Sequence, residues 1–424
     1  MTQRDNDTLT HGRTAGTSFH VVVIGASARA AAESALRAGW RTTSIDLYGD
    51  ADLREISQYL PVDAYPSALP AIARSALAGP YLYTGALENH PEIVDRIAES
   101  RTLLGNSGRV LRAVRNPVVL RHILVDARLP APDCRSADNS PTDGRWLEKP
   151  LRSAGGRMIR DFDRTMAVAP PGEKAVWFQE RISGCSLAAV FIADETAVTL
   201  AGVTAQLVGL TALGAAPFAY CGSVGPVTLP SDLADQIRRI GIVVARGTNL
   251  RGLFGIDVIV NDHGAWLIEV NPRYTASVEV LERAYDHGLL HAHRRAFEPP
   301  QADRESVAAT KHKKDSHRRS DGHACVAKVV AYADRHVVFP ELPAAICRTA
   351  RTIIADRPRQ GVTITAGNPI CSILAFGDET PGCVSDISGI MTDLSAAMPA
   401  MHGCLKQQVA ANLGSIHRLG LTFG

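Results

Sequence analysis

The hydrophobic pattern at the start of the chain predicts a strand, a helix and a second strand. An apolar run begins at His20, an alanine-rich segment follows and stops at Gly39, and a second apolar run ends at Asp46. Short apolar runs bounded by turn residues favour strands, and a longer run with a stop signal favours a helix. Such a βαβ unit builds a parallel sheet, whose ligands bind at the carboxyl ends of the strands.

The turn after the first predicted strand reads GASARA and contains one glycine. A dinucleotide-binding turn needs three glycines, with an acid such as Asp46 further along for the ribose. We therefore interpret Gly25, Ser27 and Arg29 as a turn that faces an interdomain cleft. An NAD(P)-dependent oxidoreductase is the alternative that this opening leaves.

The remaining patterns predict an α/β and α+β multidomain protein. Strand-like runs dominate the middle of the chain, interrupted by a long helix over residues 231–248, and short strands recur before the C-terminus. A charge-rich stretch between them is typical of a solvated linker. The predicted segments are a disordered tail (1–18), an N-terminal α/β domain (19–128), a strand-rich domain (129–296), a charged linker (297–323) and a small β-rich C-terminal domain (324–424).

Composition narrows the function to small-molecule chemistry. The 424 residues are 46% hydrophobic and carry a formal net charge of +2, which leaves no basic excess for nucleic acid or an anionic membrane. The polar N-terminus predicts no signal peptide, and no run is long enough for a membrane span, so we expect a cytoplasmic protein. Eight scattered cysteines without a CxxC pair argue against a zinc site and a disulfide framework.

Two apolar runs, GIDVIV and AWLIEV, are joined by the turn formers NDHG and predict a hairpin. Side chains alternate along a strand, so Glu269 and Asn271 point the same way. If the turn has three residues with Gly264 in the left-handed region, Asp257 falls opposite Glu269. A slip of one residue in the strand register would turn Asp257 to the other face of the hairpin. These oxygen ligands suit Mg²⁺ or Mn²⁺ that bridges phosphates. The alternative is an edge hairpin whose polar residues face water.

Other segments of the same domain suit a nucleotide. Lys149 lies near the end of a predicted strand, and the small-residue loop of 153–156 can close over phosphates with its backbone N–H groups. In the run VWFQERISGCS, Gln179 and Ile182 can contact adenine. Arg273 after the hairpin and Arg251 before it direct positive charge toward the same region.

Read in order, the Lys149 strand with its glycine loop, QERISG, GIDVIV and IEVNPR resemble the ATP-grasp superfamily over about residues 20–295. The segments GASARAAAESALRAG and ICSILAFG are most similar to predicted carboligases of that superfamily, which resemble the large subunit of carbamoyl phosphate synthase. The resemblance implies an N-terminal pre-ATP-grasp domain and a central ATP-grasp domain. The implied activity is ATP-dependent ligation of a carboxylate to an amine, or to a thiol, through an acyl phosphate, with ADP and phosphate as products.

The resemblance also implies ATP and Mg²⁺ (or Mn²⁺) as cofactors, and it assigns roles to residues in each block. The residues implied to contact the nucleotide are Lys149, Ser153, Gly155, Gly156, Gln179, Glu180, Arg181, Ile182 and Ser186. Those implied to hold the metal are Asp257, Glu269 and Asn271. Arg273 and Arg251 are implied catalytic residues, which would stabilise the transferred phosphoryl group or the substrate carboxylate. The expected partners are small carboxylates and amines, without nucleic acid or membrane, and a homodimer is compatible with the resemblance.

The chain departs from the family pattern at two positions. An additional phosphate-binding lysine is missing before the central domain, where RNPVVLRH leaves Arg115 or Arg121, and Ser186 stands where many relatives have a glutamate for the ribose. A non-catalytic nucleotide-binding protein is therefore a second alternative. The candidates for contact with the acceptor substrate are Ser27, Arg29, Tyr274 and Ser277.

Overall fold

The computed structural model describes residues 18–163, 176–299, 323–398 and 405–423. Nearly all of the predicted disordered tail and most of the predicted charged linker lie outside these residues. Within the described ranges, no helix is both long enough and apolar enough to cross a membrane.

The N-terminal region is a parallel α/β sheet, as the opening pattern predicts. Its strands are β1 (His20–Gly25), β2 (Arg41–Asp46), β3 (Gln58–Pro61) and β4 (Tyr81–Tyr83), in the order β3-β2-β1-β4. Its helices are α1 (Arg29–Arg37), α2 (Ala51–Ile56), α3 (Leu69–Ser75), α4 (Pro91–Ala98), α5 (Gly108–Val114) and α6 (Pro117–Asp126). A short 3₁₀ turn, Leu87–Asn89, follows β4 at the carboxyl edge of this sheet.

The central region contains a small antiparallel sheet and most of a larger one. The small sheet, in the order β5-β8-β6-β7, consists of β5 (Cys134–Ser136), β6 (Trp146–Pro150), β7 (Arg160–Asp161) and β8 (Val176–Glu180). The further strands are β9 (Cys185–Ala193), β10 (Val198–Val208), β11 (Tyr220–Gly225), β12 (Val227–Thr228), β13 (Gly252–Asn261) and β14 (Gly264–Asn271). The helices are α7 (Ser231–Thr248), which matches the predicted long helix, α8 (Ala276–Tyr285) and α9 (Leu290–Arg295).

The C-terminal region is rich in antiparallel strands, as predicted, and it continues the large sheet. Its strands are β15 (Cys325–Tyr332), β16 (Val337–Val338), β17 (Thr352–Ala355), β18 (Thr363–Ile364), β19 (Pro369–Gly377) and β20 (Thr422–Phe423). Its helices are α10 (Ala344–Cys347), α11 (Thr380–Ala397) and α12 (Leu405–Arg418). The large sheet runs β14-β13-β9-β10-β11-β15-β19-β17, so β11 and β15 join the two regions edge to edge.

Alternation along β13 separates the core from the opposite face of the sheet. Ile256 and Val258 are fully buried in the main hydrophobic core, which includes residues of α7 and α11. Asp257 lies between them and must point to the other face, because successive side chains of a strand alternate. The large sheet therefore has a core beneath it and a polar surface above its β13–β14 end.

A buried ion network joins the three regions. Arg29 of α1 contacts Glu279 of α8 (Nη1 to Oε1, 2.5 Å) and Asp356 after β17 (Nε to Oδ1, 2.9 Å), while Lys328 of β15 contacts Glu279 (Nζ to Oε2, 2.7 Å). Burial opposes ionisation here, yet the charges of Arg29 and Lys328 hold the pKa of Glu279 well below its ordinary value. The same two cations overcome burial at Asp356 and lower its pKa to about 2. We call Arg29, Glu279, Lys328 and Asp356 the interdomain ion network.

Candidate functional site

A cleft of about 530 Å³ lies between the small sheet and the β13–β14 end of the large sheet. This volume is in the range of small-molecule sites. Most of the predicted site residues line it, namely Lys149, Gly155, Gly156, Gln179, Glu180, Arg181, Ile182, Ser186, Asp257, Glu269, Asn271 and Arg273. Residues that are distant in the sequence therefore meet around one volume.

The β13–β14 hairpin reaches the predicted register by an unexpected route. Asn261 pairs with Gly264, so the turn has two residues, whereas the expected register was conditional on three. A two-residue turn alone would place Asp257 opposite Ile268. A β-bulge after Asp257 absorbs Ile268, and Asp257 pairs with Glu269 as predicted. Gly264 has a φ of +107°, in the region predicted for it.

Asp257, Glu269 and Asn271 share the cleft face of this hairpin. Asp257 accepts hydrogen bonds from Asn271 (Nδ2 to Oδ2, 3.0 Å) and from Gln206 (Nε2 to Oδ1, 2.9 Å). Burial, followed by the charge of Glu269, raises the pKa of Asp257 to about 7. A cation between the two carboxylates would remove this repulsion, so the arrangement fits a divalent ion.

These side chains form a sparse ligand set. Among the described residues, no group of three or more histidine, cysteine, aspartate or glutamate side chains is arranged to hold a metal ion. Two carboxylates and an amide leave most positions around an ion open. That fits Mg²⁺, which usually takes one or two carboxylates and completes its shell with water and phosphate oxygens.

Lys149 lies near the end of β6 and is buried in the wall of the cleft. Its Nζ donates to Oε1 of Gln179 at 3.0 Å and lies 5.2 Å from the ring centroid of Trp177. Burial lowers the pKa of Lys149, although Glu269 and Asp257 act in the opposite direction. An ammonium group with one neutral hydrogen-bond partner in a dry wall would be stabilised by an anion such as phosphate.

The glycine loop, residues 153–156, crosses the cleft after β6. Gly155 and Gly156 both have positive φ, and a Cβ on Gly156 would lie 2.0 Å from the carbonyl oxygen of Phe218. Ser153 does not line the cleft. Its carbonyl instead accepts from Asn89 (3.1 Å) and Arg115 (3.2 Å), beside a small neighbouring cavity. The loop is thus tied to the N-terminal region on one side.

The segment after β8 lines the other end of the cleft. The N–H of Glu180 donates to the carbonyl of Asp133 at 2.8 Å, and its carboxylate accepts from the N–H of Asp133 at 3.1 Å. Arg181 pairs with the exposed Asp161 at 2.7 Å, which leaves Ile182 as an apolar surface for a flat ring. Ser186 donates to Gln206 at 2.7 Å.

The arginines named from the sequence occupy different environments. Arg273 lines the cleft and contacts Glu88 (Nη2 to Oε1, 2.7 Å). Arg251 lies outside the lining, because its guanidinium donates to the carbonyl of Ala296 at 2.6 Å and pairs with Glu195 at 3.1 Å. The predicted catalytic position of Arg251 is therefore not supported by its location.

The structure distinguishes the two candidates for the missing lysine. Both arginines line the small cavity that shares Lys149 with the cleft, but Arg115 lies 3.5 Å from Glu269 (Nη1 to Oε1). Arg121 forms an ion pair with Asp133 at 2.6 Å, and both side chains are exposed. Arg115 therefore has the better position for reaching a phosphate.

The residues predicted to contact the acceptor substrate also lie in different environments. Ser277 lines the cleft, whereas Arg29 is buried in the interdomain ion network and the hydroxyl of Tyr274 donates to Glu282 at 2.9 Å. Glu88 and Gln206 are among the lining residues that the sequence analysis missed. Glu88 follows a strand at the carboxyl edge of the N-terminal sheet, which is a signal that could have found it.

Two comparisons of the sequence find similar proteins. Residues 116–277 match the family model described as ATP-grasp domain. An uncharacterized protein of Methanocaldococcus jannaschii is 19% identical over 400 residues, which cover 85% of this chain and 89% of the relative.

Solved structures show the same fold at low sequence identity. A biotin carboxylase from Campylobacter jejuni, in complex with β,γ-ATP, is 13% identical with a TM-score of 0.64, and the match covers 88% of this chain and 90% of that one. An L-amino acid ligase from Bacillus licheniformis is 14% identical with a TM-score of 0.63, and the match covers 88% and 97% of the two chains. These likenesses concern the fold and leave the substrates open.

Proposed function

We propose that this chain, in which residues 116–277 match the ATP-grasp domain family, is an ATP-dependent ligase. It joins a small-molecule carboxylate to an amine, or to a thiol, through an acyl phosphate, and it releases ADP and phosphate. The observation that carries this proposal is the convergence of Lys149, Asp257 and Glu269 on one cleft. A buried cation on one wall and paired carboxylates on another suit a nucleotide triphosphate with its metal ion.

In this proposal ATP lies along the cleft. Ile182 and the segment around it contact adenine, while Lys149 and Arg115 contact the phosphates. Gly155 and Gly156 offer backbone N–H groups, and closure of their loop keeps water away from the acyl phosphate. Asp257, Glu269 and Asn271 hold Mg²⁺, which when bound neutralises charge on the phosphate oxygens.

The chemistry needs no side-chain nucleophile. A carboxylate oxygen of the substrate attacks the γ-phosphorus of ATP, the new O–P bond forms, and the bond to ADP breaks. The amine or thiol then attacks the acyl carbon, and phosphate leaves with the former carboxylate oxygen. Arg273, which lies beside Asn271, orients the substrate carboxylate or the transferred phosphoryl group.

The remaining expectations stay predictions. We propose small carboxylates and amines as partners, without nucleic acid or membrane, a cytoplasmic location and a homodimer. A protein that binds ATP without catalysis is the competing interpretation, and it predicts nucleotide binding without ADP release.

Thermal unfolding with MgATP tests nucleotide binding directly. Because ATP binds the folded state, saturation at about 100 times Kd should stabilise the protein by about 2.7 kcal/mol and raise Tm. Lys149→Met should weaken ATP binding by about tenfold, or about 1.4 kcal/mol. The matched control is Lys406→Met, because Lys406 is exposed on α12. No Tm shift of the wild-type protein at millimolar MgATP would contradict the proposal.

Catalysis is tested by ADP release in a screen of carboxylates paired with amines and thiols. Hydroxylamine serves as a trap, because it converts an acyl phosphate into a hydroxamate. ATP binding without ADP release or hydroxamate across the screen would favour the non-catalytic interpretation.

A further inference from the structure

Glu88 places a buried carboxylate at the end of the cleft near Arg273. Its side chain is 2% exposed, and it belongs to the cleft lining. Arg273 donates to the same oxygen, Oε1, through Nε at 2.9 Å and through Nη2 at 2.7 Å. Within the described part of the chain, the other oxygen, Oε2, has no hydrogen-bond partner. One oxygen of a buried carboxylate therefore lacks a hydrogen bond, which destabilises the folded protein unless a ligand donates one.

Residues next to this pair in the sequence, or packed against its neighbours, also carry unpartnered polar atoms. Eight buried side-chain N or O atoms have no hydrogen-bond partner among the described residues, and four of them belong to Glu88, Asn89, Tyr65 and Thr275. Asn89 follows Glu88, and Thr275 lines the cleft two residues after Arg273. The ring of Tyr65 lies against that of His90, two residues after Glu88, with ring centroids 6.4 Å apart. We call Glu88, Asn89, Tyr65 and Thr275 the acceptor pocket.

The acceptor pocket has the chemistry of a site for an ammonium group. Its unpartnered atoms are oxygens, and one of them belongs to a carboxylate. An ammonium group brings three donors and a positive charge, whereas a thiol brings one weak donor and no charge. Charge-assisted hydrogen bonds to a buried carboxylate are the stronger kind. The pocket therefore distinguishes the two nucleophiles that the proposed ligase reaction leaves open.

We propose that Glu88 binds the amino group of the nucleophilic substrate as an ammonium group and accepts one proton from it at Oε2. The neutral nitrogen then attacks the acyl carbon, and its second proton leaves with phosphate. The enzyme is thus a carboxylate–amine ligase and does not use thiols. This inference rests on the proposed function. Asn89 also donates to the carbonyl of Ser153 in the glycine loop at 3.1 Å. This contact places the acceptor pocket beside the glycine loop.

The decisive variant is Glu88→Gln, which keeps the shape of the side chain and an oxygen for Arg273 but removes the charge. The probes are four amines (ammonium, methylamine, ethanolamine and glycine) and two thiols (2-mercaptoethanol and thioglycolate), each with MgATP and the same carboxylates. We expect amines, and not thiols, to stimulate ADP release by the wild-type enzyme. In Glu88→Gln the KM for the amine should rise by about 10- to 100-fold, the loss of a hydrogen bond to a charged group.

Hydroxylamine separates binding of the amine from the earlier step, because it is small and largely uncharged at neutral pH. Hydroxamate formation by Glu88→Gln reports the acyl-phosphate step, in which Arg273 takes part, and its loss should be clearly smaller than the loss of ligation to the amine. The matched control is Glu92→Gln, because Glu92 is 50% exposed on α4 and lies outside the cleft lining. That control should leave both readouts unchanged.

Three results would overturn the inference. Stimulation of ADP release by thiols as strong as that by amines would remove the selectivity. An unchanged KM for the amine in Glu88→Gln would remove its role in binding. An equal loss of ligation and hydroxamate would show that Glu88 only positions Arg273. Absence of ADP release and hydroxamate in the wild-type enzyme would instead be a failure of the proposed function.

Discussion

The interdomain ion network and the cleft both hold buried charges, but their charges are balanced differently. In the network, Glu279 and Asp356 each contact Arg29, and both acids have lowered pKa values despite their burial. In the cleft the shifts go the other way, since the pKa of Asp257 is raised to about 7 and that of Lys149 is lowered. The protein alone favours charged forms in the first region and opposes them in the second.

This difference assigns the two regions different tasks. A network whose charges satisfy one another stabilises the arrangement of the three regions without a ligand. Groups in a cleft whose charged forms are disfavoured are typical of functional sites, where a charged ligand stabilises those charges. Mutations in the network should therefore act on stability, and mutations in the cleft should act on binding and catalysis.

The largest expected effect comes from removing the shared cation of the network. Arg29→Met leaves Glu279 and Asp356 with Lys328 as the remaining cation of the network. Removing one partner of a buried ion pair costs about 3–5 kcal/mol, because an uncompensated charge stays behind. Urea denaturation should show a lower midpoint for the variant, with MgATP binding retained under native conditions.

Its control is Arg145→Met, because the Arg145 side chain is 73% exposed and pairs with Asp143 on the surface. Such pairs contribute little, so the free energy of unfolding should change by less than about 1 kcal/mol and the urea midpoint should stay close to that of wild type. Equal midpoints for the two variants would contradict the stabilising role of the network.

The second expected effect is on catalysis. Glu269→Gln preserves the volume of the side chain but removes one negative charge from the proposed metal site. Phosphoryl transfer should fall by about 100-fold or more, since even outer partners of metal ligands cost 10- to 100-fold. Stability should hold or rise, because the charge that repels Asp257 is gone.

Asp262→Asn is the matched control, because it neutralises an exposed acid in the turn of the same hairpin. ADP release as a function of Mg²⁺ concentration is the measurement. Wild-type turnover by Glu269→Gln would contradict the proposal that Glu269 is a ligand of Mg²⁺.

The smallest expected effect is the pH dependence of the network. The pKa of Asp356 is about 2 in the folded protein and about 3.9 when unfolded, so ionised Asp356 contributes about 2.6 kcal/mol of stability above pH 4. This contribution is lost as the pH falls through about 2. The stability difference between wild type and Asp356→Asn should therefore shrink on acidification.

Urea midpoints from neutral pH to about pH 3 measure this difference. The control is Asp235→Asn, since the side chain of Asp235 is 74% exposed. A difference for Asp356→Asn that does not vary with pH would show that the carboxylate contributes through its shape alone.

Local patterns predicted much of the fold and the centre of the site. The βαβ opening, α7 and the β13–β14 hairpin follow from short-range periodicity and turn residues. The bulge did not, because Ile268 is an ordinary strand residue and the register depends on pairing with the neighbouring strand. The prediction that Asp257 faces Glu269 was confirmed, although the turn length behind it was wrong.

Sequence distance misled the prediction for Arg251 and concealed Glu88. Six residues separate Arg251 from Asp257, and along a strand they span about 20 Å, so the arginine lies far from the carboxylate. Glu88 is 185 residues from Arg273, and packing of the N-terminal sheet against the central region brings them together. No local pattern contains that contact.

The shared sheet has a consequence for synthesis on the ribosome. Gly225 at the end of β11 pairs with Val326 of β15. About 100 further residues must therefore be synthesised before the edge of β11 has its partner strand. At 5–20 residues per second this takes about 5–20 s, during which a strand edge with unpaired N–H and C=O groups is exposed. We expect the nascent chain to be most prone to aggregation in that interval, and a truncation in the linker to make this exposure permanent.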